Sequence, residues 1–415
     1  MKVALINYSD INGGAARAAY RIHQALLQDG VHSRMHVNEA RAGDWTVQRP
    51  SGQIEKAINK VTPALGGIAS YLLKTTNKII HSPAIIPSIW PQRLNRLDAD
   101  VVHLHWVNGE MLSISGIGSI QKPIVWTLHD MWAFCGAEHY TEEFRWEEGY
   151  LKHNRPSYES GIDLNRWTWL RKRKHWTRPM HIVTPSRWLA ECVRKSALMC
   201  DWPVTVVPNA IDTNLWKPID KKLARSIQHL PADVPLLLFG ALGGASDPRK
   251  GFDLMKSSLE VIRGKIPGLE LIVFGSLAPR NLPNLGFPIH YTGHLNDDIS
   301  MRLLYSAVDA MVVASRIEAF GQTASEAHSC GTPVIAFNTS GLPDIVDHEQ
   351  TGYLATAYDV EDLAKGIQWV LSDAERHKVL SYNAREKAVN YFSYPVVVQQ
   401  YLKVYEEAIL NFNAT

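Results

Sequence analysis

The chain has 415 residues, more than one ordinary hydrophobic core holds, so two domains of roughly 200 residues each are expected. Hydrophobic residues make up 46% and charged residues 20%, a composition typical of a globular enzyme that argues against a disordered chain. The formal net charge of +2 gives no indication of nucleic-acid binding, so no nucleic acid is expected among the partners.

The N-terminus and the cysteines indicate the compartment. The apolar run in the first ten residues is too short for the hydrophobic core of a signal peptide. No stretch approaches the ~18 apolar residues of a membrane-spanning helix. Cys135, Cys192, Cys200 and Cys330 show no CxxC pair and no metal-ligand spacing, and we expect four buried free thiols. These features predict a cytoplasmic protein without structural disulfides.

Short apolar runs alternate with longer amphipathic stretches, which is the pattern of βαβ units around parallel sheets. In the first half, strands are predicted at 2–8, 101–106, 124–128 and 181–185, and helices at 15–29 and 186–196. In the second half, strands are predicted at 204–208, 236–240, 269–275, 310–314 and 333–337, and helices at 251–266, 298–306, 323–330, 360–372, 373–391 and 396–409. The pattern predicts two doubly wound domains, 1–200 and 201–391, with a C-terminal segment 392–415 that returns to the first domain.

The segment RIEAFGQTASE at 316–326 follows an apolar strand and opens a helix. The helix start near Gly321 offers free N–H groups and the positive end of the helix dipole, which together suit an anion. Glu318 precedes the helix and Glu326 lies about one turn inside it. Carboxylates accept hydrogen bonds from vicinal hydroxyls, so one could hold a sugar and the other a ribose. The alternative is that both glutamates are solvated surface charges.

This segment resembles the E-x7-E motif of the retaining glycosyltransferase family 4, and the sequence through CGTPV at 330–334 resembles its continuation. The resemblance implies a GT-B fold, in which two Rossmann-like domains face a cleft. It also implies that Glu318 contacts the donor hexose and that Glu326 holds the ribose hydroxyls. The loop that would meet the sugar and the distal phosphate comprises Phe320, Gly321, Gln322 and Thr323.

Other segments of the second half agree with that family. PNAID at 208–212 resembles its PNGID interdomain motif, with Ala210 where glycine is usual. DPRKG at 247–251 resembles the loop whose lysine grips the diphosphate. This resemblance implies that Lys250, helped by Arg249, neutralises the charge of the leaving group.

Three further positions of the second half carry expectations from the same resemblance. Gly275 and His294 lie where the nucleobase pocket of the family forms. Many members carry an arginine after the first strand of the second domain, whereas this chain has GALGG at 240–244, around Ala241. Arg249 could substitute for that arginine, or backbone amides could hold the diphosphate.

The first domain offers two candidate segments. Gly13 and Gly14 open a helix after the first strand and resemble the family's GG.A loop, which would approach the diphosphate or an acceptor. The alternative is a plain connection between a strand and a helix. His129 ends an apolar strand and matches the family's T.H pattern beside the donor sugar. The alternative is a histidine satisfied inside the domain, and Asp130 could orient it or cap the next helix.

Two patterns in the first domain superficially resemble metal sites. His103 and His105 share one face of a strand but lack a third ligand nearby, so a structural or cleft-lining role is expected. The DAD triplet at 98–100 is interpreted as a turn. We expect neither an essential metal nor a cofactor, since the nucleotide-sugar is a substrate.

A basic and aromatic run lies at 166–176, with the sequence RWTWLRKRKHW. Tryptophans beside lysines and arginines suit an anionic membrane surface, which would fit a lipid-linked acceptor. The same run could instead form a solvated helix face. Both alternatives stay open from the sequence, so the predicted location is cytoplasmic, with peripheral contact to the inner face of the membrane as one alternative.

The ordered motifs over 204–410 imply a retaining glycosyltransferase that moves a hexose-type sugar from a nucleoside diphosphate to a glycan, a lipid-linked molecule or another acceptor. His129, Glu318 and Lys250 are the predicted catalytic residues. Polysaccharide or lipopolysaccharide assembly is the setting that the resemblance suggests. The alternatives are a nucleotide-sugar epimerase of the same fold and a non-catalytic nucleotide-sugar-binding protein.

Overall fold

The computed structural model of the chain describes residues 1–240, 247–275, 277–278, 284–295 and 297–414. These residues form two compact units. The first unit comprises residues 1–209 and 397–415, and the second comprises residues 210–396. None of the helices in the described ranges is long and apolar enough to cross a membrane.

The first unit is built on a seven-stranded parallel sheet in the order β3-β2-β1-β5-β6-β8-β9. A separate antiparallel pair is formed by β4 and β7. The strands of this unit are β1 (Lys2–Ser9), β2 (His32–Glu39), β3 (Val47–Gln48), β4 (Leu73–Lys74), β5 (Val101–Leu104), β6 (Ile124–Thr127), β7 (Ser160–Gly161), β8 (His181–Thr184) and β9 (Val204–Val206). Central strands such as β5 and β6 are buried along their whole length, as a parallel sheet covered on both faces requires.

The helices of this unit follow the strands as crossovers. They are α1 (Gly14–Gln28), α2 (Gln53–Ser70), α3 (Trp90–Arg96), α4 (Ile114–Gly118), α5 (Arg145–Glu148), α6 (Leu164–His175) and α7 (Arg187–Lys195). α1 packs through small and branched side chains, including Ala18, Ala19 and Ile22, all fully buried. Asp163 is the N-terminal cap of α6 and Ser186 is that of α7. Each side chain accepts a hydrogen bond from a backbone N–H of the first turn.

The second unit carries a six-stranded parallel sheet in the order β12-β11-β10-β13-β14-β15. Its strands are β10 (Leu236–Gly240), β11 (Glu270–Phe274), β12 (Ile289–Gly293), β13 (Ala310–Val313), β14 (Val334–Phe337) and β15 (Gly352–Ala355). Its helices are α8 (Lys221–Ile227), α9 (Phe252–Ile262), α10 (Asp298–Ala307), α11 (Gln322–Ser329), α12 (Val360–Leu371) and α13 (Ala374–Lys387). Along β10, Leu236 and Leu238 enter one core, while Leu237 and Phe239 enter the core on the other face.

The last helix, α14 (Tyr394–Ala414), belongs to the first unit from Val397 onward. Two buried tyrosines on this helix bond to the first sheet. The Tyr405 hydroxyl lies 2.8 Å from His103 Nδ1, and the Tyr401 hydroxyl lies 3.1 Å from Thr127 Oγ1. The C-terminal helix therefore packs on the first unit, as the sequence predicted.

The strand predicted at 204–208 is the main correction to the predicted order. It was assigned to the second domain, but β9 pairs with β8 in parallel and forms the edge of the first sheet. The second unit accordingly begins at Ala210, after that strand, rather than at position 201. Hydrophobic pattern alone identifies a strand but does not say which sheet it joins, because pairing is decided over long sequence separations.

Six strands of the described residues were not predicted: β2, β3, β4, β7, β12 and β15. The sequence of β2, HSRMHVNE, carries two histidines and an arginine, which hide its apolar positions. A further correction concerns Cys200, which is exposed, whereas the other three cysteines are buried; all four thiols are free.

Candidate active site

The two charged groups of the second unit that the motifs singled out are in direct contact. Lys250 ends a 3-10 turn, Pro248–Lys250, and Glu318 lies in the loop after β13. The ammonium of Lys250 donates to Glu318 Oε1 at 2.5 Å, and Ser315 Oγ donates to the same oxygen at 2.9 Å. The Lys250 side chain is 40% exposed and that of Glu318 is 19% exposed. The pair is therefore reachable from solvent and is held at a fixed place on the unit.

Backbone contacts join the two loops that carry this pair. Arg316 N donates to the carbonyl of Arg249 at 2.7 Å. The Arg316 guanidinium donates to the carbonyl of Pro248 at 2.7 Å and forms an ion pair with Asp253 at 2.6 Å. Neighbouring Gly251 has a φ of +62°, and a Cβ there would lie 1.9 Å from the carbonyl oxygen of Ala314. Only glycine allows this close approach, which places Lys250 beside the end of β13.

Glycine also shapes the start of α11. Gly321 precedes the helix with a φ of +104°, and a Cβ there would lie 2.9 Å from Leu342 Cδ2. Phe320 is buried against Phe392, with ring centroids 5.7 Å apart, so its side chain belongs to the core. Gln322 and Thr323 are half-buried. Among the described residues, none bonds Gln322 Nε2, although that atom is inaccessible to solvent. The positive end of the helix dipole and the N–H groups of Gln322 and Thr323 lie at the start of α11, an arrangement suited to an anion.

Glu326 lies on the buried side of α11 and is only 6% exposed. Its Oε2 accepts a hydrogen bond from the hydroxyl of Tyr305 at 3.1 Å. The interpretation of Glu326 as a solvated surface charge is therefore wrong, because a buried carboxylate needs polar partners. Glu318 is likewise held by neighbours, since its own N–H donates to Ser340 Oγ at 2.9 Å.

Arg249 forms an ion pair next to the loop of Lys250. Its guanidinium pairs with Asp247 at 2.7 Å, and this ion pair holds the pKa of the Asp247 carboxyl below its usual value. The position where many family members have arginine, around Ala241, lies outside the described residues. Gly275 is buried, with a φ of +85°, and its N–H donates to the carbonyl of Gly293; His294, which follows, is exposed.

In the first unit, His129 follows β6 and is half-buried. Its Nε2 lies 3.0 Å from His105 Nδ1, and the two rings stack with centroids 5.3 Å apart. Burial lowers the pKa of His129 to about 4, because a charged imidazole is poorly solvated there. The ring is therefore neutral at neutral pH.

His103 lies on β5 and His105 directly follows that strand, and both side chains are buried. His103 is fully buried between the Tyr405 hydroxyl and Thr127 Oγ1, at 2.8 and 2.7 Å. Burial lowers its pKa to about 3, and it lowers the pKa of His105 well below the usual value. Across the described residues, no three histidine, cysteine or acidic side chains form a cluster that could hold a metal ion.

Asp130 and the two glycines after β1 complete the C-terminal edge of the first sheet. Asp130 Oδ1 accepts from the N–H of Trp132 at 2.9 Å, and Oδ2 lies 2.6 Å from His139 Nδ1. Asp130 thus bonds the loop that follows it, rather than His129. Gly13 has a φ of +96°, and no atom lies within 4 Å of the site of an added Cβ. The start of α1 at Gly14 is exposed and open.

The basic run at 166–176 is partly buried in the first unit. Trp169 and Trp176 are buried, and of the three tryptophans Trp167 is the exposed one, at 44%. The ammonium of Lys172 is fully buried and donates to three carbonyls, among them that of Gly136 at 2.7 Å. Arg171 donates to the carbonyls of Pro83 and Ala84. With two of its three tryptophans in the core, this run presents only the third, Trp167, to the outside of the unit.

Two family models match the sequence. "Glycosyltransferase Family 4" matches residues 12–215, and "Glycosyl transferases group 1" matches residues 242–387. The two matches cover most of both units. The chain belongs to the glycosyltransferases of the family 4 type, which have the GT-B fold.

Curated relatives agree with this assignment, and solved structures share the fold. A D-inositol 3-phosphate glycosyltransferase from Saccharomonospora viridis is 32% identical over 232 residues, which cover 51% of this chain and 52% of that protein. The chain therefore spans about half the length of the curated relatives it matches. Sucrose-phosphate synthase from Thermosynechococcus elongatus has a similar fold, with a TM-score of 0.67, 20% identity and full coverage of both chains. HepE from Anabaena, solved with UDP and glucose, has a TM-score of 0.66 at 17% identity, covering 98% of this chain and 100% of its own.

Sequence reasoning missed several residues of this family 4, GT-B chain that position the candidate site. Ser315, Ser340, Arg316 and Tyr305 hold the two glutamates or their loops. Gly341 was also missed: its N–H donates to the carbonyl of Glu318, and a Cβ there would lie 2.7 Å from the carbonyl oxygen of Ala319. The SGLPD sequence at 340–344 is a turn signal that could have indicated this loop. Tyr305, inside a helix, carries no such signal.

Proposed function

We propose that this chain transfers a sugar from a nucleoside diphosphate donor to an acceptor hydroxyl. The donor would bind in the second unit, around Lys250, Glu318 and the start of α11. The observation that supports this most directly is the 2.5 Å contact between Lys250 and Glu318. It places a cation for a diphosphate and a carboxylate for sugar hydroxyls side by side.

The chemistry follows from those two charges. As the bond between the anomeric carbon and the phosphate oxygen breaks, negative charge grows on the diphosphate, and Lys250 would stabilise it together with the N–H groups at the start of α11. The acceptor oxygen then bonds to the anomeric carbon, and its proton leaves with the departing phosphate. We propose a hexose-type donor and attack on the face that the diphosphate leaves, which retains the anomeric configuration.

Glu318 and Glu326 would hold hydroxyl groups at the two ends of the donor. Glu318 makes its contacts with Lys250 and Ser315 through Oε1, so Oε2 is the oxygen we assign to a sugar hydroxyl. Glu326 would accept from the ribose, with Tyr305 fixing its carboxylate. His129 is uncharged at neutral pH and would therefore bond a sugar hydroxyl rather than a phosphate.

The names of similar proteins suggest where to begin with the donor. HepE was solved with UDP-glucose, and curated relatives are named D-inositol 3-phosphate glycosyltransferases. Uridine diphosphate and its sugars are therefore the first donors to test, and glycans, lipid-linked sugars and polyols are the first acceptors. No metal is assigned to the reaction in this proposal.

A thermal-shift screen against UDP, GDP, ADP and their common sugars tests the donor site. A ligand at 100 times its dissociation constant should stabilise the protein by about 2.7 kcal/mol. We expect one nucleotide to stabilise the wild type, and its effect to be lost in Glu326→Ala. Glu375→Ala is the matched control, because that carboxylate is 83% exposed and pairs with Lys378 on the surface. The absence of any shift would contradict the donor site.

Product analysis then separates a transferase from an epimerase of the same fold. Incubated with the stabilising nucleotide-sugar alone, the protein should release free sugar slowly and leave the configuration of the remaining donor unchanged. Proton NMR of the reaction distinguishes this outcome from interconversion of two donor epimers. Addition of the right acceptor should accelerate the release of nucleoside diphosphate.

A further inference from the structure

Helix α2 has its apolar side chains on the outside. Ile58, Val61, Leu65 and Ile68 are 54%, 54%, 49% and 60% exposed. Their spacing of three and four residues places them in one row along the helix. In a helix that packs on its own protein, such a row faces the core, but here it faces away from the unit.

The side of α2 that faces the protein is polar or small. Asn59 Nδ2 donates to Asn38 Oδ1 at 3.1 Å, and Ser70 Oγ donates to the carbonyl of His81 at 2.9 Å. Gly66 is buried so closely that an added Cβ would lie 2.4 Å from Glu110 Cγ. The helix is thus attached to the unit through hydrogen bonds and a glycine contact. Its apolar row takes no part in this attachment and is available to bind a partner.

The apolar row continues beyond the helix and is accompanied by positive charge. Tyr71, Leu72 and Ile80 are 85%, 53% and 66% exposed. Residues 53–80 contain four lysines and one glutamate, a net charge of +3. Lys56, Lys74 and Lys78 are exposed. We call the surface formed by the exposed lysines and large apolar side chains of this segment the apolar–basic surface; they are Lys56, Ile58, Val61, Leu65, Ile68, Tyr71, Leu72, Lys74, Lys78 and Ile80.

We propose that the apolar–basic surface docks the protein on an anionic lipid bilayer. An amphipathic helix with an apolar face and lysines beside it lies in the plane of such a surface, its apolar side chains among the acyl chains and its lysines on the headgroup phosphates. The 18 residues of α2 give it a length of about 27 Å. A bilayer fits the charge better than a second copy of the chain, because a two-fold contact through this surface would bring like-charged lysines together. This assignment replaces the run at 166–176, whose tryptophans are mostly buried.

Sedimentation of the full chain with vesicles tests the proposal. We expect the protein to sediment with vesicles of equal phosphatidylglycerol and phosphatidylcholine, and to bind pure phosphatidylcholine at least tenfold more weakly. Binding should weaken as salt is raised, because headgroup and lysine charges are screened. A wild-type protein that stays in the supernatant with both vesicles would overturn the proposal. The assay contains no nucleotide, so its result does not depend on the donor site.

Two sets of variants separate the apolar and the charged contributions. Ile58→Gln with Leu65→Gln and Ile68→Gln should weaken binding to the anionic vesicles at least tenfold. The matched control replaces three apolar residues of similar exposure in the second unit: Ile227→Gln with Ile299→Gln and Val379→Gln. Lys74→Gln with Lys78→Gln should weaken binding about fivefold per lysine, whereas Lys222→Gln with Lys265→Gln should leave it unchanged. Equal binding by the wild type and the triple α2 variant would contradict the proposal.

A fluorescent probe gives a second test that needs no triple variant. Ile68→Cys, in a background where the exposed Cys200 is replaced by serine, is labelled with nitrobenzoxadiazole. Its emission should shift to the blue on adding anionic vesicles, while the same label at Val379→Cys should not shift. Light scattering after size-exclusion chromatography measures the oligomeric state and so tests the alternative that a second copy of the chain binds this surface. If the wild type is a dimer and the triple α2 variant is a monomer, the surface is a contact between copies and the lipid assignment is overturned.

Discussion

The two units differ in whether the candidate site residues carry a charge. In the second unit, Lys250 and Glu318 are an ion pair that is partly open to solvent. In the first unit, His103, His105 and His129 are packed together, and burial lowers the pKa of all three. Charge is thus retained where a diphosphate is proposed to bind and removed at the end of β6. The difference suits a phosphate-binding second unit and a first unit that bonds neutral hydroxyl groups.

The units also differ in how their residues are brought together. Lys250 and Glu318 are 68 residues apart and lie on two loops next to β13. The bond between His103 and Tyr405 spans 302 residues and requires the C-terminal helix to return to the first unit. Lys250 and Glu318 each belong to a short sequence motif. The bond between His103 and Tyr405 has no such motif and forms only when the chain folds. Binding of the donor should therefore depend on the second unit, whereas substitutions in the buried cluster of the first unit should change stability.

The largest expected effect is on the stability of the second unit. Gly251→Ala forces a residue with a side chain into a φ of +62° and against the carbonyl of Ala314, at 1.9 Å. We expect the free energy of unfolding in urea to fall by about 3 kcal/mol, from backbone strain and overpacking together. Gly264→Ala is the matched control, since its φ is +74° but no atom lies within 4 Å, and it should lose about 1 kcal/mol. Equal losses would contradict the close-approach argument.

The next effect is on turnover. Lys250→Met keeps the length of the side chain but removes the charge proposed to stabilise the leaving diphosphate. We expect kcat/KM with the donor found in the screen to fall about a hundredfold, with little change in the melting temperature because this side chain is 40% exposed. Lys256→Met, an exposed lysine of α9, should behave as the wild type. Unchanged turnover in Lys250→Met would remove the phosphate role from this residue.

Tyr405→Phe tests the first unit and should affect stability alone. The change leaves His103 Nδ1 buried without its partner, which costs about 1–2 kcal/mol of unfolding free energy. The nucleotide-induced thermal shift should keep its size, because the donor is assigned to the second unit. Tyr382→Phe, at a tyrosine that is 66% exposed, serves as the control. If Tyr405→Phe lost the nucleotide effect at full stability, the separation of the two units would fail.

The smallest expected effect concerns the pH dependence of His129. Its pKa is lowered from 6.5 to about 4, so the neutral imidazole contributes stability that is fully present above pH 6.5 and is lost as pH falls toward 4. In kinetics, the ratio of kcat/KM between the wild type and His129→Gln should stay constant between about pH 5.5 and 7.5. A ratio that changed near pH 6.5 would show that His129 titrates there as an exposed histidine does.

Much of the fold could be predicted because the parallel sheets are read from local pattern. Strands such as β10, buried on both faces, appear in the sequence as continuous apolar runs. The edge strand β9 was predicted as a strand but placed in the wrong domain, since pairing decides the sheet. The strand β2 was missed because its histidines and arginine interrupt the apolar pattern. The same limit applies to the site: Glu318 and Glu326 stand in a motif, whereas Ser340 and Tyr305 contribute through contacts that no spacing indicates.

The sequence by itself determined the alternation of most strands and helices, the helix start at Gly321, and the loop with its two glutamates. These are properties of short segments, in which periodicity, turn residues and helix starts act over a few positions. The tertiary structure alone decided that the tryptophans of 166–176 are mostly buried and that the apolar row of α2 is exposed. A side chain's burial depends on which distant surfaces cover it, and an amphipathic pattern states that one face is apolar without stating which way that face points.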